Sequence, residues 1–280
     1  MSSRYFTSLV TRAWLASSRQ IAERRRNFPP MGENRQRLVE ALAPHRSFLD
    51  VGGMYAVAGD VAFWAEDAGA TEVLLFDGMD PSTEFVRKHE ARQSIVKYRQ
   101  GDLHDPEDVR LLGPWDVVWC AGVIYHSPDP YRQLLHLRSL TKETLLLGSH
   151  IIPEVPGIEG GCIFYPGRSE VSEAAFAAFH NEVDAYPGMT KPFIDAPAMA
   201  YANMWWGISL SALRAMLHYA GFEIVSEYRY STTFIDIVAQ PGPEPNFIPP
   251  LGFSRERGHS LLETFEDVER PTWCEVPVID

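Results

Sequence analysis

The sequence is short of the residues that mark several protein classes. Its three cysteines, Cys120, Cys162 and Cys274, are too few and too widely spaced for a disulfide framework or a zinc site. No apolar run reaches the roughly 18 residues that a membrane span needs. The arginines near the N-terminus precede no apolar segment of the kind found in secretory signals. These absences predict a cytoplasmic protein without a membrane anchor.

Positive charge is scarce and unevenly placed. The net charge is −12, yet residues 1–48 hold nine arginines and three glutamates, so the rest of the chain is strongly acidic. A chain this acidic is a poor general binder of nucleic acid. Arg24, Arg25 and Arg26 form the one candidate for phosphate contact, and a solvated helix face is the preferred interpretation of these side chains.

The order of hydrophobic segments predicts an α/β protein. Strands predicted at 47–51, 72–77, 94–99, 115–120 and 143–148 alternate with helices at 33–43, 59–69, 81–92, 105–112 and 130–140. This βα spacing favours right-handed crossovers and a parallel sheet. A helix predicted at 209–220 and an antiparallel pair of strands predicted at 223–230 and 234–239 complete the fold. The predicted fold is a doubly wound, mostly parallel, Rossmann-like sheet of seven strands.

Segments outside this pattern predict the domain organisation. Residues 1–44 form an N-terminal helical arm, and residues 45–240 form the core. The proline-containing stretch 153–207 interrupts the βα order and is interpreted as an inserted lid, because long irregular segments of compact domains are usually functional. Residues 241–280 are proline-rich and acidic, which predicts a surface tail. The basic arm and this tail could pair between the subunits of a homodimer.

The first strand is followed by a glycine-containing turn, Asp50–Gly59, of sequence DVGGMYAVAG. Ligands of parallel sheets bind at the carboxyl ends of the strands. Glycines there let a ligand approach the backbone, and the next helix offers N–H donors. The turn has neither the G-x-G-x-x-G fingerprint of dinucleotide-binding proteins nor the Gly-Lys-Ser/Thr of a P-loop. A tight strand–helix connection is the alternative interpretation.

Acidic residues also follow the next two strands. Asp77 can accept hydrogen bonds from both hydroxyls of a ribose, and Met79 can lie against an adenine face. Asp102 can accept an adenine amino proton while the Leu103 N–H reaches a ring nitrogen. Each aspartate could instead be a helix cap or turn residue, but caps explain acids after three successive strands less well. The candidates are Asp77, Gly78 and Met79, and Gly101, Asp102 and Leu103.

These motifs resemble those of the class I S-adenosylmethionine-dependent methyltransferase superfamily over residues 45–240. The segment Cys120–His126, CAGVIYH, is similar to the corresponding segment of tRNA wobble-uridine carboxymethyltransferases. The stretch beginning at Asn203, NMWWGISLSAL, resembles that group and its sugar- and small-molecule-modifying relatives. The first turn departs from the pattern, since Met54 and Ala56 replace the usual second and third glycines.

The resemblance implies S-adenosylmethionine as cofactor and S-adenosylhomocysteine as product. Asp77 would hold the ribose, Asp102 and Leu103 the adenine, and the Asp50–Gly59 turn the methionine part. The implied cofactor contacts are Asp50, Gly52, Gly53, Met54, Asp77, Gly78, Met79, Gly101, Asp102, Leu103, Cys120, Ala121, Gly122 and Tyr125.

Methyl transfer chiefly requires that two reactants be positioned, although a hydroxyl acceptor also benefits from a general base. His126 and His150 are the candidate catalytic residues, and either could instead bond a loop carbonyl. The candidate acceptor contacts are Tyr201, Asn203, Trp205 and Trp206, for which packing of the lid is the alternative. No metal is predicted, because Mg²⁺ prefers clustered carboxylates, which the sequence does not show.

The predicted function is therefore methyl transfer to an oxygen or nitrogen of a small molecule, with a natural product or glycan preferred. One alternative is a tRNA-modifying (carboxy)methyltransferase. The wobble-uridine resemblance and the arginines favour it, whereas residues 151–207, with seven acids and two basic residues, oppose it. The other alternative is a non-catalytic nucleoside-binding protein with the same fold, which the irregular first turn permits.

Overall fold

The computed structural model describes residues 29–154, 157–167, 203–231 and 233–243. The first part of the predicted arm with Arg24 to Arg26, most of the predicted lid with Tyr201, and nearly all of the predicted tail lie outside these ranges.

The described residues form nine strands and six α-helices. The strands are β1 (Ser47–Val51), β2 (Glu72–Asp77), β3 (Lys97–Gln100), β4 (Trp115–Ala121), β5 (Thr141–His150), β6 (Cys162–Phe164), β7 (Trp206–Ile208), β8 (Phe222–Arg229) and β9 (Phe234–Pro241). The helices are α1 (Met31–Leu42), α2 (Asp60–Asp67), α3 (Thr83–Arg92), α4 (Pro106–Leu112), α5 (Pro130–Leu140) and α6 (Leu210–Tyr219). None of these helices has the length and apolar character that a bilayer span requires.

Seven strands form one sheet in the order β3-β2-β1-β4-β5-β9-β8. Strands β1 to β5 are parallel to their neighbours, and β9 runs antiparallel to both β5 and β8. The prediction of a mostly parallel seven-stranded sheet is confirmed. The chain moves outward from β1 to β3 and then returns to β4 beside β1, so the strand order switches between β1 and β4. Ligands of open α/β sheets bind at such a point.

Alternating side chains of the parallel strands pack into two hydrophobic layers, one on each face of the sheet. Phe48 and Leu75 pack with α1, α2 and α3 on one face, whereas Leu49 and Phe76 pack with α4, α5 and α6 on the other. Because helices cover both faces of the sheet, the strand sequences are continuously apolar and do not alternate between apolar and polar residues. In β2 every residue after Glu72 is buried.

Several boundaries differ from the sequence prediction, and three of the differences have a clear structural reason. Helix α3 begins at Thr83, because the Ser82 hydroxyl accepts from the Phe85 N–H at 3.1 Å and caps it. Strand β3 begins at Lys97, because the Ile95 N–H donates to the Glu66 carboxylate at 2.6 Å and holds the preceding residues in a turn. Strand β5 continues to His150 by pairing with β9.

The predicted lid is not wholly irregular. Strands β6 and β7, which lie near its two ends, pair as an antiparallel two-stranded sheet. Ile152 adds an isolated parallel bridge to Ser209. This small sheet places the segment before α6 beside the carboxyl end of β5. The prediction of an irregular stretch was wrong for these residues.

Candidate functional site

The glycines of the first turn are packed against the protein's own atoms. A Cβ at Gly52, where φ is +77°, would lie 2.3 Å from the Val123 side chain. A Cβ at Gly53 would lie 2.2 Å from an Asp50 carboxyl oxygen. The Gly52 N–H donates to the Phe76 carbonyl at 2.8 Å, which ties the turn to β2. Gly52 is therefore required by the close approach of Val123 from the segment after β4, and Gly53 by the close approach of the Asp50 carboxyl group.

The residues that replace the expected glycines follow an unusual path. Ala56 and Ala58 adopt left-handed backbone conformations, with φ of +62° and +44°. A non-glycine residue pays roughly 1–2 kcal/mol for this conformation. Met54 turns inward and is buried, whereas the Tyr55 side chain is 66% exposed. Ala56 thus keeps a glycine-like backbone although its side chain departs from the family pattern.

The Asp77 carboxylate connects the turn after β1 to the turn after β2. At the end of β2, its carboxylate accepts from the Met54 N–H at 2.8 Å and from the Met79 N–H at 2.9 Å. The residue is buried, and the Tyr98 hydroxyl donates to the Met79 carbonyl beside it. Burial, followed by the charges of Asp77 and Asp80, raises the pKa of Tyr98 to about 12. Each Asp77 oxygen keeps a second lone pair, so it can accept a further hydrogen bond from a ligand.

Asp50 is a buried carboxyl next to Asp77. Its side chain is almost fully enclosed, and neither oxygen makes a hydrogen bond of normal geometry in the described residues. Burial raises the pKa of Asp50 to about 8, the Asp77 charge adds to the rise, and the Ala62 N–H and Arg35 oppose it. Burial and Asp50 together also raise the pKa of the Cys120 thiol. A cationic ligand group would stabilise the ionised form of Asp50.

Asp102 lies in an exposed turn that several contacts hold in place. Its N–H donates to the Asp108 carboxylate at 2.9 Å. One of its carboxyl oxygens accepts from the His104 N–H at 2.8 Å and lies 2.9 Å from His104 Nδ1. His104 Nε2 lies 2.6 Å from the Ser127 hydroxyl, in the segment after β4. Gly101 is confined, since a Cβ there would lie 2.5 Å from the Phe76 ring.

A second histidine holds the next residue of this turn. His136 on α5 is buried, and its Nδ1 donates to the Leu103 carbonyl at 2.6 Å. The sequence prediction missed both histidines as parts of the site. His104 could have been noticed, because it stands two residues after a predicted ligand. His136 carries no local signal, since it lies mid-helix and 33 residues away.

The two predicted catalytic histidines lie on either side of Tyr125. The ring centroids of Tyr125 and His126 are 4.4 Å apart, and those of Tyr125 and His150 are 4.9 Å apart. Phe234 packs edge-on against the far side of His150, also at 4.9 Å. Tyr125 and His150 are buried. The structure therefore brings the predicted catalytic residues together at the ends of β4 and β5.

His126 has the hydrogen bond that the alternative interpretation expected. Its Nδ1 donates to the Asn203 carbonyl at 2.8 Å. Burial lowers the pKa of His126, and the Asn203 carbonyl opposes that effect. A neutral imidazole that donates from Nδ1 keeps its lone pair on Nε2. The same contact that fixes the ring therefore leaves a basic nitrogen for a reacting proton.

Three of the four predicted acceptor contacts lie beside this histidine, and Tyr201 lies outside the described residues. Asn203 is buried. The Trp205 N–H donates to the Tyr125 carbonyl at 2.9 Å, and Trp206 Nε1 donates to the Pro128 carbonyl at 2.9 Å. Both indole rings pack near Phe164, with centroids 6.2 and 4.8 Å away. A shallow pocket bounded by His150, Tyr165, Met204 and Trp206 opens next to them.

A buried ion pair that the sequence did not indicate supports this side of the site. Arg35 on α1 donates to both Asp236 oxygens on β9, at 2.8 and 2.7 Å. Its guanidinium lies 5.5 Å from the Trp119 ring and 5.2 Å from the Phe234 ring. A Cβ at Gly148 would lie 2.6 Å from Asp236 and 2.7 Å from Arg35. The pair thus holds Phe234, which packs against His150.

The remaining predicted residues lie around these groups. Gly78 accepts from the Gln100 side chain at 3.1 Å. Gly122, with φ of +86°, donates its N–H to the Gly148 carbonyl at 2.9 Å. Ala121 is the last residue of β4. Within the described ranges, no three His, Cys, Asp or Glu side chains form a cluster that could hold a metal ion.

No protein-family model matches the sequence. Curated relatives named tRNA U34 carboxymethyltransferase are similar over part of the chain. The relative from Chromohalobacter salexigens is 31% identical over 144 residues, which are 46% of this chain and 40% of that protein. The relative from Idiomarina loihiensis is 26% identical over 214 residues, which are 70% of this chain and 53% of that protein. The chain thus spans about half or less of the length of these relatives.

Solved structures of methyltransferases share the architecture. The N-terminal domain of EvdMO1 with S-adenosylhomocysteine bound has a TM-score of 0.51 at 19% identity, over 77% of this chain and 82% of that one. A putative methyltransferase from Bacillus halodurans has a TM-score of 0.50 at 18% identity, over 75% and 98%. The chain therefore has the class I methyltransferase fold, which confirms the fold predicted from its sequence.

Proposed function

We propose that this chain is an S-adenosylmethionine-dependent methyltransferase. The observation that supports the proposal best is the set of three aspartates at the carboxyl ends of β1, β2 and β3, which are adjacent in the sheet. Asp50, Asp77 and Asp102 stand at the point where ligands of open α/β sheets bind. Caps alone do not account for a buried pair of carboxyls, Asp50 and Asp77, at this edge.

The chemistry of these groups fits the cofactor. S-adenosylmethionine carries two positive charges, an ammonium and a sulfonium, and either would stabilise the ionised form of the buried Asp50 carboxyl. Asp77 would accept from the ribose hydroxyls with its remaining lone pairs. Asp102 and the Leu103 N–H would hold the adenine. The segments Asp50–Gly59 and Cys120–Tyr125 would enclose the methionine part.

The bound cofactor supplies a methyl group activated by its positive sulfur. The residues of the chain then have to align the acceptor with that methyl group and receive the acceptor's proton. His126 is the better placed base, because its ring is fixed through Nδ1 and its Nε2 keeps a lone pair. His150 lies between the rings of Tyr125 and Phe234, which favours a packing role.

The acceptor side supports a small molecule as substrate. Phe164, Trp205 and Trp206 form an aromatic wall beside His126, and aromatic faces bind sugars and planar rings. Acidic residues predominate over residues 151–207, which disfavours phosphates. We therefore propose an oxygen or nitrogen atom of a small molecule, such as a natural product or glycan, as the methyl acceptor.

A tRNA acceptor is the second candidate, because the curated relatives that match this chain are named tRNA U34 carboxymethyltransferases. A tRNA acceptor predicts that bulk tRNA retains the protein at low salt. It also predicts that replacing Arg24, Arg25 and Arg26 by alanine abolishes this retention. Absence of retention would leave the small-molecule acceptor as the proposal. Methyl incorporation into tRNA from labelled S-adenosylmethionine would instead favour the tRNA acceptor.

Calorimetry with S-adenosylhomocysteine tests the cofactor assignment. Asp77→Asn removes one acceptor oxygen and keeps the shape of the side chain, so we expect at least about a tenfold loss of affinity, or roughly 1.4 kcal/mol. Asp116→Asn is the matched control, because Asp116 also accepts a backbone N–H, from Ser47 at 2.9 Å, but lies at the start of β4. Undetectable binding by the unmodified protein at high micromolar concentration would contradict the proposal.

A further inference from the structure

We infer that His104 is a positioning residue for base recognition, which holds the Asp102 carboxylate in place by bridging it to Ser127 after β4. The inference rests on the proposed function, in which Asp102 accepts from the adenine amino group. It assigns a role to a histidine that neither binds the cofactor nor touches the reacting atoms.

The hydrogen bonds define one consistent arrangement of protons. A carboxylate only accepts, so the His104 Nδ1 that lies 2.9 Å from Asp102 carries the hydrogen. In the neutral ring Nε2 is then the acceptor, and the Ser127 hydroxyl 2.6 Å away donates to it. The Ser127 oxygen in turn accepts from the Asp129 N–H at 2.9 Å. Every polar atom of the bridge therefore has a partner of the correct kind.

The burial of Ser127 decides between positioning and nucleophilic chemistry. Aspartate, histidine and serine in this order also form the triad of serine hydrolases. Ser127 is only 1% exposed, and its oxygen already accepts from Asp129. A substrate carbonyl cannot reach such a hydroxyl. The serine therefore serves as a fixed anchor, and the histidine transmits its position to Asp102.

The Asp102 carboxylate needs such support because it is exposed. Its side chain is 67% accessible, and that of His104 is 30% accessible. An exposed ion pair by itself contributes little to stability. Here the far end of the histidine is anchored on a buried group, while the Asp102 N–H is held by Asp108. Groups that fix the orientation of a ligand-binding carboxylate lower the entropy lost on binding.

The position of His104 also links the two halves of the site. Ser127 follows directly on His126, and its N–H donates to the Ile124 carbonyl at 3.1 Å. The contact of His104 with Ser127 fixes the turn after β3 to the segment after β4, and the bond from His136 to the Leu103 carbonyl fixes the same turn to α5. The base-binding turn is thus built on the same segment that carries the proposed general base.

The test compares two ligands in calorimetry. One is S-adenosylhomocysteine, and the other is its hypoxanthine analogue, in which an oxygen replaces the amino group that Asp102 would accept from. We expect the unmodified protein to prefer the adenine ligand and His104→Ala to reduce that preference about fivefold to tenfold, the value of one typical hydrogen bond. A general loss of structure would weaken both ligands equally.

Two further variants separate the two ends of the bridge. The side-chain nitrogen of asparagine lies as many bonds from Cα as Nδ1, and that of glutamine as many as Nε2. His104→Asn can therefore keep the donor to Asp102, whereas His104→Gln can only reach toward Ser127. We expect neither variant alone to restore more than part of the adenine preference, because each keeps only one end of the bridge.

The outcomes distinguish this inference from the proposed function. If the unmodified protein binds neither ligand, the proposed function and the role of His104 are both wrong. If it binds and discriminates, but His104→Ala discriminates equally well or a variant with only one end of the bridge restores the preference in full, the role of His104 alone is wrong. Nitrogen NMR of the unmodified protein gives an independent check that does not depend on the folding of variants. A proton on Nε2 instead of Nδ1 would overturn the inference.

Discussion

Replacing Arg35 by leucine should destabilise the fold by about 3–5 kcal/mol, because it leaves the Asp236 carboxylate buried without its cation. The Asp236 side chain is 3% exposed and that of Arg35 15%, so water cannot replace the lost partner. The two hydrogen bonds at 2.8 and 2.7 Å disappear together. For a domain of this size, the loss corresponds to a fall in melting temperature of roughly 6–20 °C.

The double variant Arg35→Leu/Asp236→Leu is the matched control. Well-packed apolar groups often replace a buried ion pair at little cost, so we expect the double variant to lose less stability than Arg35→Leu alone. Urea unfolding followed by circular dichroism measures all three proteins. If the single and double variants lose the same free energy, the ion pair is not the source of the effect and the reasoning is refuted.

Two further predictions concern the first turn. Gly52→Ala should cost clearly more stability than Gly113→Ala, because both glycines have positive φ but only the Cβ at position 52 meets a neighbour, Val123, at 2.3 Å; equal unfolding free energies would contradict the packing argument. Asp50→Asn should flatten the dependence of stability on pH. The pKa of Asp50 is raised to about 8 in the folded state, so its contribution to the free energy of unfolding is fully present in acid and is lost as the pH rises toward that value. Urea titrations over about three pH units, from pH 5 to pH 8, measure this dependence. If the variant and the unmodified protein have the same pH profile, the prediction is wrong.

The parallel strands were predictable from the sequence because their burial on both faces leaves a continuous apolar signal. Strand β2 is the clearest case, and its observed bounds, Glu72–Asp77, are the predicted ones. The short edge strand β3 has only partly buried or exposed side chains, so its start was misplaced. Strands β6 and β7 were missed because three-residue strands far apart in the chain carry little periodicity.

The candidate site was predictable to the extent that it follows the strand ends. Asp50 and Asp77 stand at those ends and His126 follows the end of β4 in the next turn, so the topology brings them together without further information. The contacts that hold them do not follow from local sequence. Arg35 and Asp236 are 201 residues apart, and Ser127 is 23 residues from His104. Such pairs are set by tertiary packing, which local patterns do not encode.

The ion pair between α1 and β9 also bears on the order in which the chain can assemble. Arg35 is synthesised before its partner Asp236, which follows 201 residues later. Until β9 has entered the sheet beside β5, burial of the Arg35 guanidinium would leave a charge uncompensated. Helix α1 is therefore expected to dock only after β9 has joined the sheet, although it is made before β9. Docking of α1 then completes the sheet instead of starting it.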